Sequence, residues 1–121
     1  MLVIDGGSSK RVAILGDQIT QLACDNSWSG VIVNGCIRDS AIIQTMDIGV
    51  KALGTHPVKS IKTFPGERGV IVNFSGVEFV PGHWLYADEV CVCDFVCGCV
   101  WRCVLIYLYS LRCNFYVPVL K

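Results

Sequence analysis

Charge is sparse in this chain and evenly matched by sign. Ten Lys and Arg face ten Asp and Glu across 121 residues, and charged residues make up 17% of the total. That balance argues against a general nucleic-acid surface, whose affinity rests on clustered Lys and Arg. Histidine is nearly missing. His56 precedes Pro57 and His83 lies between Gly82 and Trp84, neither with a second ligand at metal spacing, so both read as turn or surface residues. The opening "MLVIDGGSSKR" lacks a basic leader followed by a long apolar region, so no secretory signal is expected. A reducing, cytoplasmic compartment with free thiols is the corresponding expectation. No internal repeat is evident. The Gly-rich "DGGSSKR" lacks the Gly-Lys-Ser/Thr close of a phosphate loop and is not G-x-G-x-x-G, which leaves a sharp turn or a close backbone approach.

Cysteine is scarce where the chain looks ordinary and dense where it does not. Of eight cysteines, only Cys24 and Cys36 fall in the first ninety residues. This divides the chain near Glu89 into residues 1–88 and a Cys-rich apolar tail, 89–121. In the first part, Leu2-Val3-Ile4 reads as a strand closed by a turn at Asp5-Gly6-Gly7. Ile19, Leu22 and Ala23 recur at helical spacing between Gly16 and Ser27. Val31-Ile32-Val33, apolar on both faces, reads as a strand covered on both sides. Ser40 is expected to cap a short helix through Met46, and Ile48 to Leu53 to form another strand. Strand, helix, strand is a βαβ unit with parallel strands. "HPVKSIKTFPGERG" reads as a loop. "VIVNFSGVEFVPGHWLYAD" reads as a hairpin about Ser75-Gly76 and a further strand, with Trp84 and Tyr86 on one face. The fold class is therefore mixed α/β.

The tail is long enough to span a bilayer. However, Arg102 falls within it, which is costly in lipid, and its Cys-rich β-branched text forms helices poorly, so a membrane span is not expected. Cys91-x-Cys93 and Cys97-x-Cys99, with Cys103 after them, are separated by residues that suit strands better than zinc knuckles.

The chemistry concentrates where "GVIVNGCIRDS" ends in Arg38-Asp39. In isolation that pair is a surface salt bridge of little worth. Gly16-Asp17, however, stands at another strand-to-helix junction, and parallel strands bring both carboxyl ends to one sheet edge, where ligands of α/β folds bind. Asp17, Arg38 and Asp39 are expected to converge there with the unpaired helix amides near Gln18. Two carboxylates suit a hard divalent cation held by few protein ligands and several waters. Arginine and amides suit a carboxylate or an enolate.

At these residues the chain resembles the RraA-like family, which includes class II 4-hydroxy-4-methyl-2-oxoglutarate aldolases and RraA regulators of ribonuclease E. The resemblance runs through "VIDGGSS", "GDQITQLACDNSWSGVIVNGCIRDS", "DIGVKALGTHPVKS", "GER" and "PGHWLYAD", covering residues 3–88. It implies a β/β/α sandwich of the swivelling phosphohistidine-domain type, assembled as trimers. The family's aldolases carry an Asp, twenty intervening residues, then Arg-Asp, which Asp17 and Arg38-Asp39 match. By resemblance, Asp39 binds Mg²⁺ or Mn²⁺ directly and Asp17 does so through water. Arg38 contacts the pyruvyl group of a small 2-keto acid, and the amides of Gln18 and Ile19 contact its carboxylate. The implied activity is aldol cleavage to pyruvate, with oxaloacetate decarboxylation through the same enolate. The non-catalytic regulators typically lack the first Asp, so Asp17 tilts the reading toward the aldolases.

Three departures accompany the resemblance. The family carries a substantial segment before "VIDGG", commonly has Gly where Ser8 stands, and continues after "LYAD" with an Asp-Gly turn, a strand and a helix. Residues from about 90 onward are accordingly expected to be non-family sequence from a retained intron, a frameshift or a wrongly drawn gene model. The competing expectations are a regulator that binds a ribonuclease and an inactive truncated fragment.

Overall fold

A computed structural model describes residues 1–61, 63 and 65–87 in full, and beyond them the backbone of four strands. In chain order the elements are β1 (Leu2–Leu15), α1 (Asp17–Asp25), β2 (Gly30–Ile37), α2 (Ser40–Ile43), β3 (Gly49–Thr55), β4 (Val72–Phe74), β5 (Val77–Phe79), β6 (Trp84–Ala87), β7 (Val92–Val96), β8 (Val100–Val104), β9 (Tyr109–Leu111) and β10 (Phe115–Pro118). One sheet runs β1-β2-β3-β9, with β1, β2 and β3 parallel. A second, antiparallel sheet runs β10-β6-β7-β8, and β4-β5 form the expected hairpin.

The layers follow from the alternation of β2, every residue of which is buried. Val31 and Val33 face a core shared with Leu15, Val50 and Ala52 of the sheet, Ala23 of α1 and Ile43 of α2. Ile32 points the other way, into Met1, Phe74, Val77, Phe79, Leu85 and Ala87. The central strand is thus covered by helices on one face and by further strands on the other, as its unbroken apolar text requires. This is the expected β/β/α order. Each fully buried Val, Ile or Phe contributes roughly 1.5–3 kcal/mol of transfer free energy, so β2 anchors both cores. Phe74 and Phe79 stack at 4.5 Å across the hairpin.

Two local expectations are corrected. The strand beginning at Leu2 does not stop at Gly6-Gly7. Gly7 (φ 62°) and Ser8 (φ 58°) do turn, but the chain then rejoins the ladder. Asp5, Ser9, Ala13 and Leu15 pair successively with Asn34, Gly35, Cys36 and Ile37, so the intervening residues bulge outward. Asp5 Oδ1 accepts hydrogen bonds from Gly7 N (2.9 Å) and Asn34 Nδ2 (2.7 Å), and Ser8 Oγ lies 3.0 Å from Asn34 Oδ1. Those side-chain bonds hold the bulge, and hydropathy patterning does not reveal them. Second, Ser40 does not cap α2. It is the first helical residue, and Asp39, in the left-handed region at φ 55°, occupies the cap without a side-chain bond.

In the tail, β7 and β8 are strands, in keeping with the reading of that text as strand rather than knuckle. The expected boundary at residues 88–89 lies outside the described residues, as do Cys91, Cys97 and Cys99. Cys24 and Cys36 are free thiols. Among the described residues no helix is long and apolar enough to cross a membrane.

Candidate active site

β1 and β2 finish together, with Leu15 paired to Ile37 and Arg38 N donating to Leu15 O at 2.9 Å. One step further, each chain turns into a helix, at Gly16 and at Asp39. The parallel register therefore sets Gly16, Asp17, Arg38 and Asp39 side by side, as expected from the spacing. Arg38 Nε lies 3.1 Å from Asp39 Oδ2, and each side chain is 30% exposed. A long contact of 3.5 Å runs from the Asp17 amide to the same Oδ2. Gly16 sits beneath the pair. A Cβ there would fall 2.8 Å from Arg38 Nε and 2.9 Å from Asp39 Oδ2, so only glycine leaves the pair its space.

A loop completes the site. After β3, His56 N donates to Ile37 O (2.8 Å), carrying the chain across the end of β2. It then docks on β1, where Ala13 N donates to Val58 O (2.7 Å) and Ser60 N donates to Ala13 O (2.9 Å). The resulting cleft is small, about 40 Å³, and opens to solvent. Its walls include Gly16, Asp17, Gln18, Ile19 and Arg38 from the strand and helix ends, and Lys59 and Ser60 from the loop. Asp39 stands beside Arg38 rather than on the cleft wall.

The helix amides are less free than the sequence suggests. Asp17 folds its own Oδ1 onto Gln18 N at 2.8 Å, so that amide already holds a carboxylate. Ile19 N makes no hydrogen bond among the described residues, while Thr20 N and Thr20 Oγ1 both donate to Gly16 O. Ile19 N is therefore the open amide at this helix start, and Gln18 N is open only when Asp17 releases it.

The donor set fits a hard divalent cation. Asp17 Oδ2 and Asp39 Oδ1 are without hydrogen bonds among the described residues, and both belong to the same sheet edge. No group of three or more His, Cys, Asp or Glu converges among the described residues. Two carboxylate oxygens with water completing the shell suit Mg²⁺ or Mn²⁺ better than zinc. Cys24 takes no part in this edge. Partial burial, with Asp25 and Asp47 nearby, pushes its thiol up, which disfavours the thiolate.

Sequence reasoning left Lys59 and Ser60 without a role. The signal that places them is the bridge between Lys59 and Ala13, a long-range backbone pairing with no trace in local pattern.

A model of the family described as "RraA-like: Aldolase/RraA" matches residues 1–93. Proteins provisionally named 4-hydroxy-4-methyl-2-oxoglutarate aldolase are 57% identical over 89 residues in Aromatoleum aromaticum and 54% identical in Laribacter hongkongensis. Each alignment covers 74% of this chain and 56% of the relative, so the chain spans a little over half their length. A Geobacillus kaustophilus crystal structure described as an S-adenosylmethionine:2-dimethylmenaquinone methyltransferase superposes with a TM-score of 0.70 at 53% identity, over 73% of this chain and 55% of that one. The RNA-processing inhibitor RraA from Thermus thermophilis gives 0.67 at 39% identity, over 69% and 52% respectively. The relatives carry three different functional names on one fold, so fold alone does not select among them. In fold and in most of its length, the chain belongs to the RraA-like aldolase/RraA family.

Proposed function

We propose that this chain carries the site of a divalent-metal-dependent class II aldolase that cleaves 4-hydroxy-4-methyl-2-oxoglutarate to pyruvate and decarboxylates oxaloacetate. The observation behind this reading is the meeting of Asp17, Arg38 and Asp39 at one sheet edge beside the start of α1. The name shared by the Aromatoleum aromaticum and Laribacter hongkongensis relatives supports it.

Asp39 and Asp17 are the residues that would hold the cation, Asp39 directly and Asp17 through water. When bound, Mg²⁺ or Mn²⁺ supplies Lewis acidity toward the keto oxygen. The chain's own groups do the rest. Ile19 N, and Gln18 N once Asp17 releases it, receive the keto-acid carboxylate at the positive end of α1. The terminal nitrogens of Arg38 face the oxygen on which negative charge grows as the C–C bond breaks. Water held by Asp17 takes the proton from the substrate hydroxyl and returns one to the methylene carbon of the enolate. In oxaloacetate the same carbon is protonated after carbon dioxide leaves.

A lactate-dehydrogenase-coupled assay with either substrate and Mg²⁺ or Mn²⁺ tests this. Pyruvate release that EDTA stops is the expected result, and a folded preparation without it overturns the reading. We further propose the trimer that the family resemblance implies, to be read from size-exclusion chromatography with light scattering. The likeness to an RNA-processing inhibitor favours a second reading, a regulator that binds a ribonuclease, and Asp17 weighs against it. Ribonuclease capture by a chain without lyase activity would reverse that preference.

A further inference from the structure

The cleft contains a cation that the proposed chemistry leaves unused. Arg38 is half-committed to Asp39 and is the residue assigned to the pyruvyl group. Lys59 also lines the cleft, is exposed, and makes no ion pair among the described residues. Its position is nevertheless fixed. Val58 O and Ser60 N on either side of it are bonded to the same residue, Ala13, three positions before Gly16. His56, two residues before Val58, is bonded through its backbone to Ile37 and through Nδ1 to the Val58 amide at 3.1 Å. A lysine held on both sides by backbone bonds, beside a serine hydroxyl, loses less freedom on binding an anion than one on a loose loop.

A keto acid seated at Arg38 and Ile19 uses one carboxylate and its keto oxygen. In a diacid, a second carboxylate remains and must leave water. Leaving it unpaired in a cleft costs more than the contact gains, so a diacid binder needs a further cation or donor there. We propose that Lys59, with Ser60 beside it, is the subsite for the distal carboxylate of a 2-keto diacid and makes the cleft selective for dicarboxylates over pyruvate-like monocarboxylates. This rests on the aldolase reading above.

The two parts separate in one experiment on the full chain. Dissociation constants for pyruvate and 2-oxoglutarate are measured by titration calorimetry with Mg²⁺ present, for wild type, Lys59→Ala and Lys59→Arg. Lys59→Ala should weaken 2-oxoglutarate about tenfold, the usual worth of a charge-assisted bond, and leave pyruvate within about twofold. Lys59→Arg should restore most of the preference, because the charge is kept. Equal binding of both acids by wild type, or equal loss of both in Lys59→Ala, overturns the subsite while leaving the aldolase reading intact. Failure of wild type to bind either acid removes both. Turnover adds a second signature. For 4-hydroxy-4-methyl-2-oxoglutarate the distal carboxylate is kept, so kcat/KM should fall about tenfold through KM. For oxaloacetate that carboxylate departs, so KM should rise while kcat does not fall, since the lost contact is one the transition state gives up. A fall in kcat for both substrates would point to a general structural defect and overturn the assignment.

Discussion

Arg38 meets Asp39 through Nε, at 3.1 Å, and this edge-on contact leaves both terminal guanidinium nitrogens for a ligand. Lysine has one nitrogen and cannot hold Asp39 and face a growing enolate at once. Arg38→Lys should therefore lower kcat by about a hundredfold or more while changing thermal stability little, the usual cost of removing a donor aimed at developing charge. Asp39→Ala should abolish EDTA-sensitive turnover. Retained activity in Asp39→Ala would show that Asp39 is not the direct metal ligand.

Gly16 provides a test of geometry alone. Its backbone, at φ −139°, is open to any residue, so alanine is excluded only by Arg38 and Asp39 above it. Gly16→Ala should push the pair apart and lower kcat/KM by about ten- to a hundredfold, the scale of a small misplacement of catalytic groups. Stability should change by no more than about 1 kcal/mol, the range for exchanging glycine at a helix N-cap. Full activity in Gly16→Ala would mean that the pair's position is not critical.

How much of this was legible beforehand depended on whether the determinant was local. The buried central strand was written in Val31-Ile32-Val33, and the hairpin in Ser75-Gly76, where positive φ at both residues makes the turn. The convergence of Asp17 with Arg38-Asp39 followed from spacing, because parallel strands carry fixed topology into fixed proximity. Three things were not legible. The bulges of β1 depend on the Asp5–Asn34–Ser8 bonds, between residues far apart in sequence. The occupied Gln18 amide depends on one rotamer of Asp17. Lys59 and Ser60 reach the cleft only through backbone pairing with Ala13.

Ser8 explains a departure noted at the outset. The family resemblance implies glycine where it stands, and it adopts φ 58°, a region that costs a non-glycine residue roughly 1 kcal/mol. Its hydroxyl, 3.0 Å from Asn34 Oδ1, offsets that strain. Ser8→Ala keeps the strain and loses the bond, whereas Ser8→Gly loses both. Urea unfolding should then rank wild type and Ser8→Gly within about 0.5 kcal/mol of each other, with Ser8→Ala about 1 kcal/mol below both. If Ser8→Ala matches Ser8→Gly, the bulge does not hold Ser8 in that conformation.

Ile14 and Gly35 offer a coupled pair within β1 and β2. A Cβ on Gly35 would lie 2.5 Å from Ile14 Cδ1 but 3.6 Å from its Cγ1, so the obstruction is a single methyl group. Gly35→Ala alone should destabilise by about 1–2 kcal/mol, as overpacking does. Ile14→Val deletes Cδ1 and should cost about 1 kcal/mol by itself. In that background Gly35→Ala meets no clash, gains the ordinary advantage of alanine over glycine in a strand, and should be neutral or stabilising by about 0.5 kcal/mol. The double-mutant cycle should thus give a coupling of at least about 1 kcal/mol, well above the additivity error for distant sites. Strict additivity would show that Ile14 moves aside freely. The bulge would then be held by the Asp5–Asn34 bonds without help from this packing.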